Sequence, residues 1–116
     1  MEATKKATVW VTQESPLLDY TDAERYGEVR FITADEFTAS EHSLRNVEIF
    51  KAIDRALASY DTATDYVLSS GAPSIVAAVF YVLGSRYPKA DIRFLAWNNR
   101  DRQYRLLRIP AYQATW

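Results

Sequence analysis

The sequence predicts a small α/β domain, and three observations predict it. First, Asp65 to Gly84 (DYVLSSGAPSIVAAVFYVLG) joins a short β-like run, a small-residue turn and an apolar helix opened by Pro73, the central unit of an α/β sheet. Second, apolar residues recur three or four apart from Val47 to Leu57, which predicts an amphipathic helix just before that unit. Third, Ile92–Trp97 and Gln103–Ile109 are β-rich runs separated by Asn98-Asn99-Arg100-Asp101, the pattern of an antiparallel hairpin. In chain order the elements read β-β-α-β-α-β-β. The expected architecture is a small open Rossmann-like sheet, mostly parallel, with the hairpin at its C-terminal edge. A mixed α+β sheet is the alternative.

Taken in order, Ala7–Val11 is β-branched and aromatic and predicts the first strand, which Ser15-Pro16 stops. Thr21 and Glu24 have capping-box spacing, predicting a short helical turn through Tyr26, with Gly27 ending it in a left-handed conformation. Glu28–Thr33 alternates polar and apolar and predicts the second strand, whose direction relative to the first is left open. Ser43 is placed to cap the next helix, with Val47, Phe50, Ile53 and Leu57 as its buried stripe and Ile49 outside it. The uniformly apolar Ile75–Leu83 stretch predicts a helix buried on both sides, and Gly84 and Pro88 are expected to stop it.

Composition narrows the chemistry. With 116 residues, 48% hydrophobic and 25% charged, the chain is expected to fold as one globular domain. A formal charge of −1 gives no global attraction to nucleic acid, and no sequence-specific nucleic-acid partner is expected. The absence of cysteine excludes disulfides and thiolate chemistry, and the single histidine, His42, excludes a histidine metal cluster. No metal or cofactor is expected. Met1–Lys6 lacks the apolar core of a signal peptide, and no apolar run reaches the roughly 20 residues of a membrane span, so a cytoplasmic protein without a membrane partner is expected.

In open α/β sheets ligands bind beyond the carboxyl ends of the strands. The candidate ligand edge is therefore Thr12 and Gln13, Thr33 and Asp35, Ser69, Ser70, Gly71 and Ala72, and Trp97 and Asn98. The turn at Ser69 is the strongest part, because Gly71 permits close backbone approach and the helix behind it offers free N–H groups to an anion. It carries neither a dinucleotide fingerprint nor a phosphate loop. Asp35-Glu36 as an acid pair, and Ser69 or Ser70 with His42 as a nucleophile and base, are weaker arrangements. Solvation accounts for the acids, and no nucleophile elbow is present. Arg100, Arg102, Arg105 and Arg108, interleaved with Trp97 and Tyr104, read either as a nucleotide surface or as charges that protect an edge hairpin from aggregation.

Across VTQE (Val11–Glu14), GEVRFITADEF (Gly27–Phe37), DYVLSSGAP (Asp65–Pro73) and LAWNNR (Leu95–Arg100), the chain resembles a family of small bacteriophage proteins to which no activity is assigned. The resemblance implies a phage origin and action in the infected bacterial cytoplasm. The expected function is a non-enzymatic accessory protein that binds a small anionic, nucleotide-like ligand at the strand-end edge, with sequestration of a host defence signal as the suggested role. The alternatives are a module that binds and redirects a host protein, and a nucleotide phosphodiesterase. Aromatic content of 14%, including Tyr87, Tyr112 and Trp116 in loop or tail segments, also predicts a homo-oligomer.

Overall fold

The structure is a computed structural model and describes residues 6–115. It contains β1 (Thr8–Gln13), a 3-10 helix (Thr21–Arg25), β2 (Glu28–Thr33), α1 (Leu44–Leu57), β3 (Tyr66–Leu68), α2 (Pro73–Arg86), β4 (Ile92–Asn98) and β5 (Gln103–Ile109). The strands form one five-stranded mixed sheet in the spatial order β2-β1-β3-β4-β5, so β1 lies inside the sheet although it comes first in the chain. β1 runs parallel to both β2 and β3, β3 runs parallel to β4, and β5 returns antiparallel to β4.

Connection geometry explains which face each helix covers. The chain moves from β1 outward to β2, then reverses, crossing β1 to reach β3 and continuing to β4. Right-handed crossovers in opposite directions leave their helices on opposite faces. One face of the sheet, through Trp10, Ile32 and Val67, packs with Ile49, Ile53 and Leu57 of α1 and with Ile75, Val79, Val82 and Leu83 of α2. The other, through Val9, Val11, Leu68 and Leu95, is covered by Ala23 of the 3-10 helix and by Tyr20, Tyr26 and Tyr104.

Several expectations about individual elements need correction. The buried stripe of α1 is Ile49–Ile53–Leu57, at i, i+4 and i+8, whereas Val47 is 48% exposed. Ile49 therefore belongs to the core and adds nothing to a self-association surface. α2 is buried on one side only: Tyr81 on its outer side is 67% exposed, and Phe80 is half-buried against Phe94. Within its continuous apolar run Ile75–Leu83, Ala77 and Tyr81 face solvent, Val76, Ala78 and Phe80 are half-buried, and only Ile75, Val79, Val82 and Leu83 are buried. The helix runs through Gly84 and ends at Arg86, followed by Tyr87 and Pro88.

The Thr21 turn is a 3-10 helix with no side-chain cap of its own. Asp19 instead accepts hydrogen bonds from the Thr21 amide and hydroxyl, which hold the Asp19 carboxyl below its usual pKa. Gly27 is not left-handed; a Cβ there would stand 2.7 Å from the Ala7 carbonyl carbon, so glycine is required by close approach to the chain entering β1. Ser43 does cap α1, accepting from the Asn46 amide at 3.1 Å. Of the aromatic residues expected to support self-association, Tyr112 is exposed, Tyr87 is half-buried against Tyr60, and Trp116 lies outside the described residues.

A buried carboxylate ties β1 to β3. Asp65, fully enclosed just before β3, accepts from the Thr8 amide and the Thr64 hydroxyl on Oδ1, and from the Trp10 indole and the Asp61 amide on Oδ2, all within 2.9–3.0 Å. Burial works against its ionisation, but these hydrogen bonds outweigh burial and hold its pKa below the usual carboxylate value. The clasp joins the amino end of β1 to that of β3 and so aligns their carboxyl ends.

Candidate functional site

At those carboxyl ends the connections leaving β1 and β3 diverge to opposite sides of the sheet, the position where open α/β sheets place their ligands. The structure divides the sequence-predicted residues into two groups. The first is an internal lattice. Thr12 Oγ1 donates to the Ser70 carbonyl at 2.6 Å and accepts from the Ser70 amide at 2.8 Å. Gln13 Nε2 donates to the Asp35 carbonyl at 2.7 Å, while its Oε1 accepts from the Ala72 amide at 2.6 Å.

Gln13 thus takes the amide of Ala72, the residue that precedes Pro73 at the entry to α2. Gly71 has φ +91°, and a Cβ there would lie 2.6 Å from the Gln13 Cβ, so the close approach that glycine allows is made by Gln13. Thr12, Gln13 and Ser70 are buried. Thr33 accepts from the Asp35 amide at 3.0 Å, and the Asp35 carboxylate stands 3.9 Å from Arg45 on the exposed surface. Asn98 Oδ1 accepts from the Arg100 amide within the β4–β5 turn. Thr12, Gln13 and Ser70 thus shape the edge from within, while Asp35 and Gly71 stay exposed at its rim.

The second group faces solvent. Ser69 and Trp97 line a cleft of about 560 Å³ together with Leu17, Leu18 and Asp19 of the loop after β1, Asp22 of the 3-10 helix, and Arg102 and Tyr104 of the hairpin. Trp97 stands edge-on to Tyr104, with ring centroids 4.9 Å apart, and its indole N–H donates to Asn99 Oδ1 at 2.9 Å. The ring is fixed in place yet remains 44% exposed. Burial pushes the Tyr104 hydroxyl pKa up. Asp22 Oδ2 accepts from the Tyr104 amide at 2.7 Å and also faces Arg25 at 3.4 Å, tying the 3-10 helix to β5 across the cleft floor.

Arg102 enters the cleft from a backbone with φ 55°, the one non-glycine residue in the left-handed region among those described. Tyr20 links the two groups: its hydroxyl accepts from the Ser15 amide at 2.9 Å and meets Ser70 Oγ at 2.7 Å. Ser70 therefore has a phenol beside it rather than an imidazole. His42 lies exposed in the connector before α1, 3.8 Å from Glu41, and does not line the cleft. Among the described residues, no group of three or more His, Cys, Asp or Glu side chains is placed to hold a metal ion, and no helix is long and apolar enough to cross a membrane.

Sequence reasoning missed Leu17, Leu18, Asp19 and Asp22, and it named Arg102 and Tyr104 only with the hairpin, apart from the strand-end edge. One signal was present: Leu17-Leu18 is an apolar pair in an otherwise polar loop, and Leu17 is 92% exposed. The hairpin arginines also have separate surroundings, since Arg105 is bound by Asp101 while Arg102 lines the cleft.

Comparison with curated proteins and with solved structures returned no match. A family model does match, over residues 4–111, nearly the whole chain and all five strands of the sheet that frames the cleft. Its extent and the bacteriophage resemblance in the strand-end segments agree, and the chain belongs to the Phage Pam3 gp32-like protein family.

Proposed function

We propose that this phage protein is a non-enzymatic binding protein with a Rossmann-like use of its sheet. It takes a small nucleotide-like ligand in the cleft over the carboxyl ends of β1, β3 and β4. The observation that carries the reading is Trp97, an immobilised indole with an open face between a serine hydroxyl and an arginine. A base stacked on an aromatic side chain gains about 1–3 kcal/mol. Ser69 offers a hydroxyl and Arg102 a guanidinium for the phosphate.

Charge in the cleft narrows the ligand class. Asp22 is paired with Arg25, so within the cleft Asp19 stands against Arg102 and the charge is close to balanced. That balance disfavours a polyphosphate and limits the ligand to one of low charge, such as a cyclic nucleotide. The left-handed backbone at Arg102 supports a functional role, since a non-glycine residue there costs about 1–3 kcal/mol and such strain gathers at binding sites. Binding without turnover is supported by the Tyr20 hydroxyl beside Ser70 and by the position of His42 outside the cleft. Sequestration of a host signal in the infected cytoplasm is the role this chemistry would serve.

The test is a thermal-shift screen of the full chain against linear and cyclic nucleotides, with Trp fluorescence as a second readout. Saturable stabilisation by a cyclic nucleotide, recovered unchanged after denaturation, supports the reading. Arg102→Gly should remove the backbone strain while weakening binding about tenfold, the loss of one charge-assisted hydrogen bond. If Trp97→Ala binds as tightly as the wild type, stacking is refuted. Recovery of hydrolysed product would replace sequestration with phosphodiesterase activity.

A second reading rests on a different observation: Leu17, Leu18 and Trp97 place exposed apolar surface around the same cleft. Such surface suits docking of a host protein or of a second copy of this chain. A capture experiment that yields one host protein, lost on Leu17→Asp, together with no response to nucleotides, would favour it. Light scattering at micromolar concentration separates the homo-oligomer from the monomer.

A further inference from the structure

The opposite end of the sheet carries an unexplained concentration of positive charge. Arg93 of β4 and Arg108 of β5 are directly paired across the antiparallel ladder, so their side chains emerge on the same face. Like charges placed opposite one another destabilise a sheet unless something neutralises them. Lys89 lines the same cleft, of about 360 Å³, along with Thr62 and Asp91. Among the described residues, no ion pair joins Lys89, Arg93 or Arg108 to a carboxylate. Asp91 is engaged by the Ala111 amide at 2.9 Å.

Arg93 is held in advance of any ligand. Its guanidinium lies over the Tyr66 ring at 5.1 Å, and its Nε donates to the Asp65 carbonyl at 3.3 Å. The Nη2 of the same side chain is shut off from solvent and has no hydrogen-bond partner. A buried guanidinium nitrogen without an acceptor is costly, and native structures rarely leave one so.

From the opposed arginines, the unpaired Lys89 beside them and the cleft they line together, we propose a second binding site, for a phosphate group, formed by Lys89, Arg93 and Arg108 with the Thr62 hydroxyl. Three cations against one carboxylate leave the cleft two charges positive, matching a phosphate dianion. An oxyanion seated in the cleft beside the two arginines neutralises the like-charge pair. Free phosphate and a terminal phosphate monoester on a larger molecule share this chemistry. The site lies at the amino-end edge of the sheet, apart from the Trp97 cleft, and does not depend on the function proposed for that cleft.

The experiment titrates the full chain with inorganic phosphate and, separately, with phenyl phosphate, at constant ionic strength set by chloride, reading thermal stability and calorimetric heat. Phosphate should stabilise saturably, with a tighter response to phenyl phosphate if a monoester is the natural form. Arg108→Gln and Lys89→Gln change exposed side chains, and each should weaken phosphate binding about tenfold or more. In phosphate-free buffer Arg108→Gln should melt no lower than the wild type, because it relieves the opposed charges. The proposal is overturned if phosphate does no more than matched chloride, or if both variants bind it as the wild type does. It is likewise overturned if Arg102→Gln, at the far edge, abolishes phosphate binding while Arg108→Gln leaves it intact.

Discussion

Asp65 offers the sharpest test of how β1 is tied to β3. Replacement by alanine removes the acceptor of three N–H groups, those of Thr8, Trp10 and Asp61, and of the Thr64 hydroxyl. The hydroxyl can turn to another partner, but the N–H groups cannot, and each buried donor left unpaired costs about 1–3 kcal/mol. Asp65→Ala should therefore lose at least about 3 kcal/mol, a large share of the roughly 5–15 kcal/mol that stabilises an ordinary domain. Asp65→Asn keeps the shape and one oxygen, and its best orientation turns the new amide toward Oδ1's partners, where Thr64 can accept. Only the Thr8 amide is then stranded, and the loss should be smaller, about 1–3 kcal/mol.

Urea unfolding followed by far-ultraviolet circular dichroism measures both losses. The midpoint for Asp65→Ala should fall by about 1 M or more. A double-mutant cycle with Trp10→Phe isolates the indole bond: the two changes together should cost less than their sum. The pH dependence has a defined sign. The folded-state pKa of Asp65 is depressed, so its stabilisation is present above the unfolded value near 3.9 and is lost as pH falls through the folded value. The gap between the wild type and Asp65→Asn should narrow in that acid range. A loss below about 1 kcal/mol for Asp65→Ala, or strict additivity with Trp10→Phe, would refute the clasp.

Three further outcomes are expected. Gly71→Ala should destabilise by about 2 kcal/mol or more through its positive φ and collision with Gln13, even without any ligand; an unchanged urea midpoint would mean that the turn can rearrange freely. Gln13→Ala should cost about 1–3 kcal/mol by leaving the Ala72 amide unpaired and should speed hydrogen exchange at the start of α2; unchanged exchange there would rule out that role of Gln13. Tyr60→Phe removes a buried hydroxyl that has no hydrogen-bond partner and should be neutral or stabilising by about 1 kcal/mol. Burial pushes the Tyr60 pKa up to about 12. The wild type therefore keeps its full stability below the unfolded value near 10 and loses stability as pH rises from there through 12, a loss that Tyr60→Phe should lack. Absorbance titration should show one phenol fewer ionising late in the variant.

Local patterns in the chain carried the elements. β-branched runs, the Ser43 cap, Pro73 at the start of α2 and the Asn-rich turn are short-range signals, and α/β class and the terminal hairpin followed from them. Faces were harder to read. Val47 and Ile49 are both apolar and two positions apart, and only the seat of α1 on the sheet decides that Ile49 is buried and Val47 exposed. Likewise, Gly84 reads as a stop because glycine is a poor helix former, yet α2 continues because its Ile75–Val79–Val82–Leu83 side is buried against the sheet.

The candidate site shows the same division. By itself the sequence determined which strand ends are polar and that Gly71 permits a close backbone approach, because composition and backbone sterics act within a few residues. Only the tertiary structure decided what meets what. Placing β1 between β2 and β3 brings Gln13 onto Ala72 and Thr12 onto Ser70, which turns residues expected to hold a ligand into the frame of the edge. The hairpin carries Trp97 and Arg102 over to Leu17 and Asp19, more than seventy residues earlier in the chain. It also sets Arg93 opposite Arg108. Strand order and register arise from long-range burial and crossover handedness, which no local spacing records.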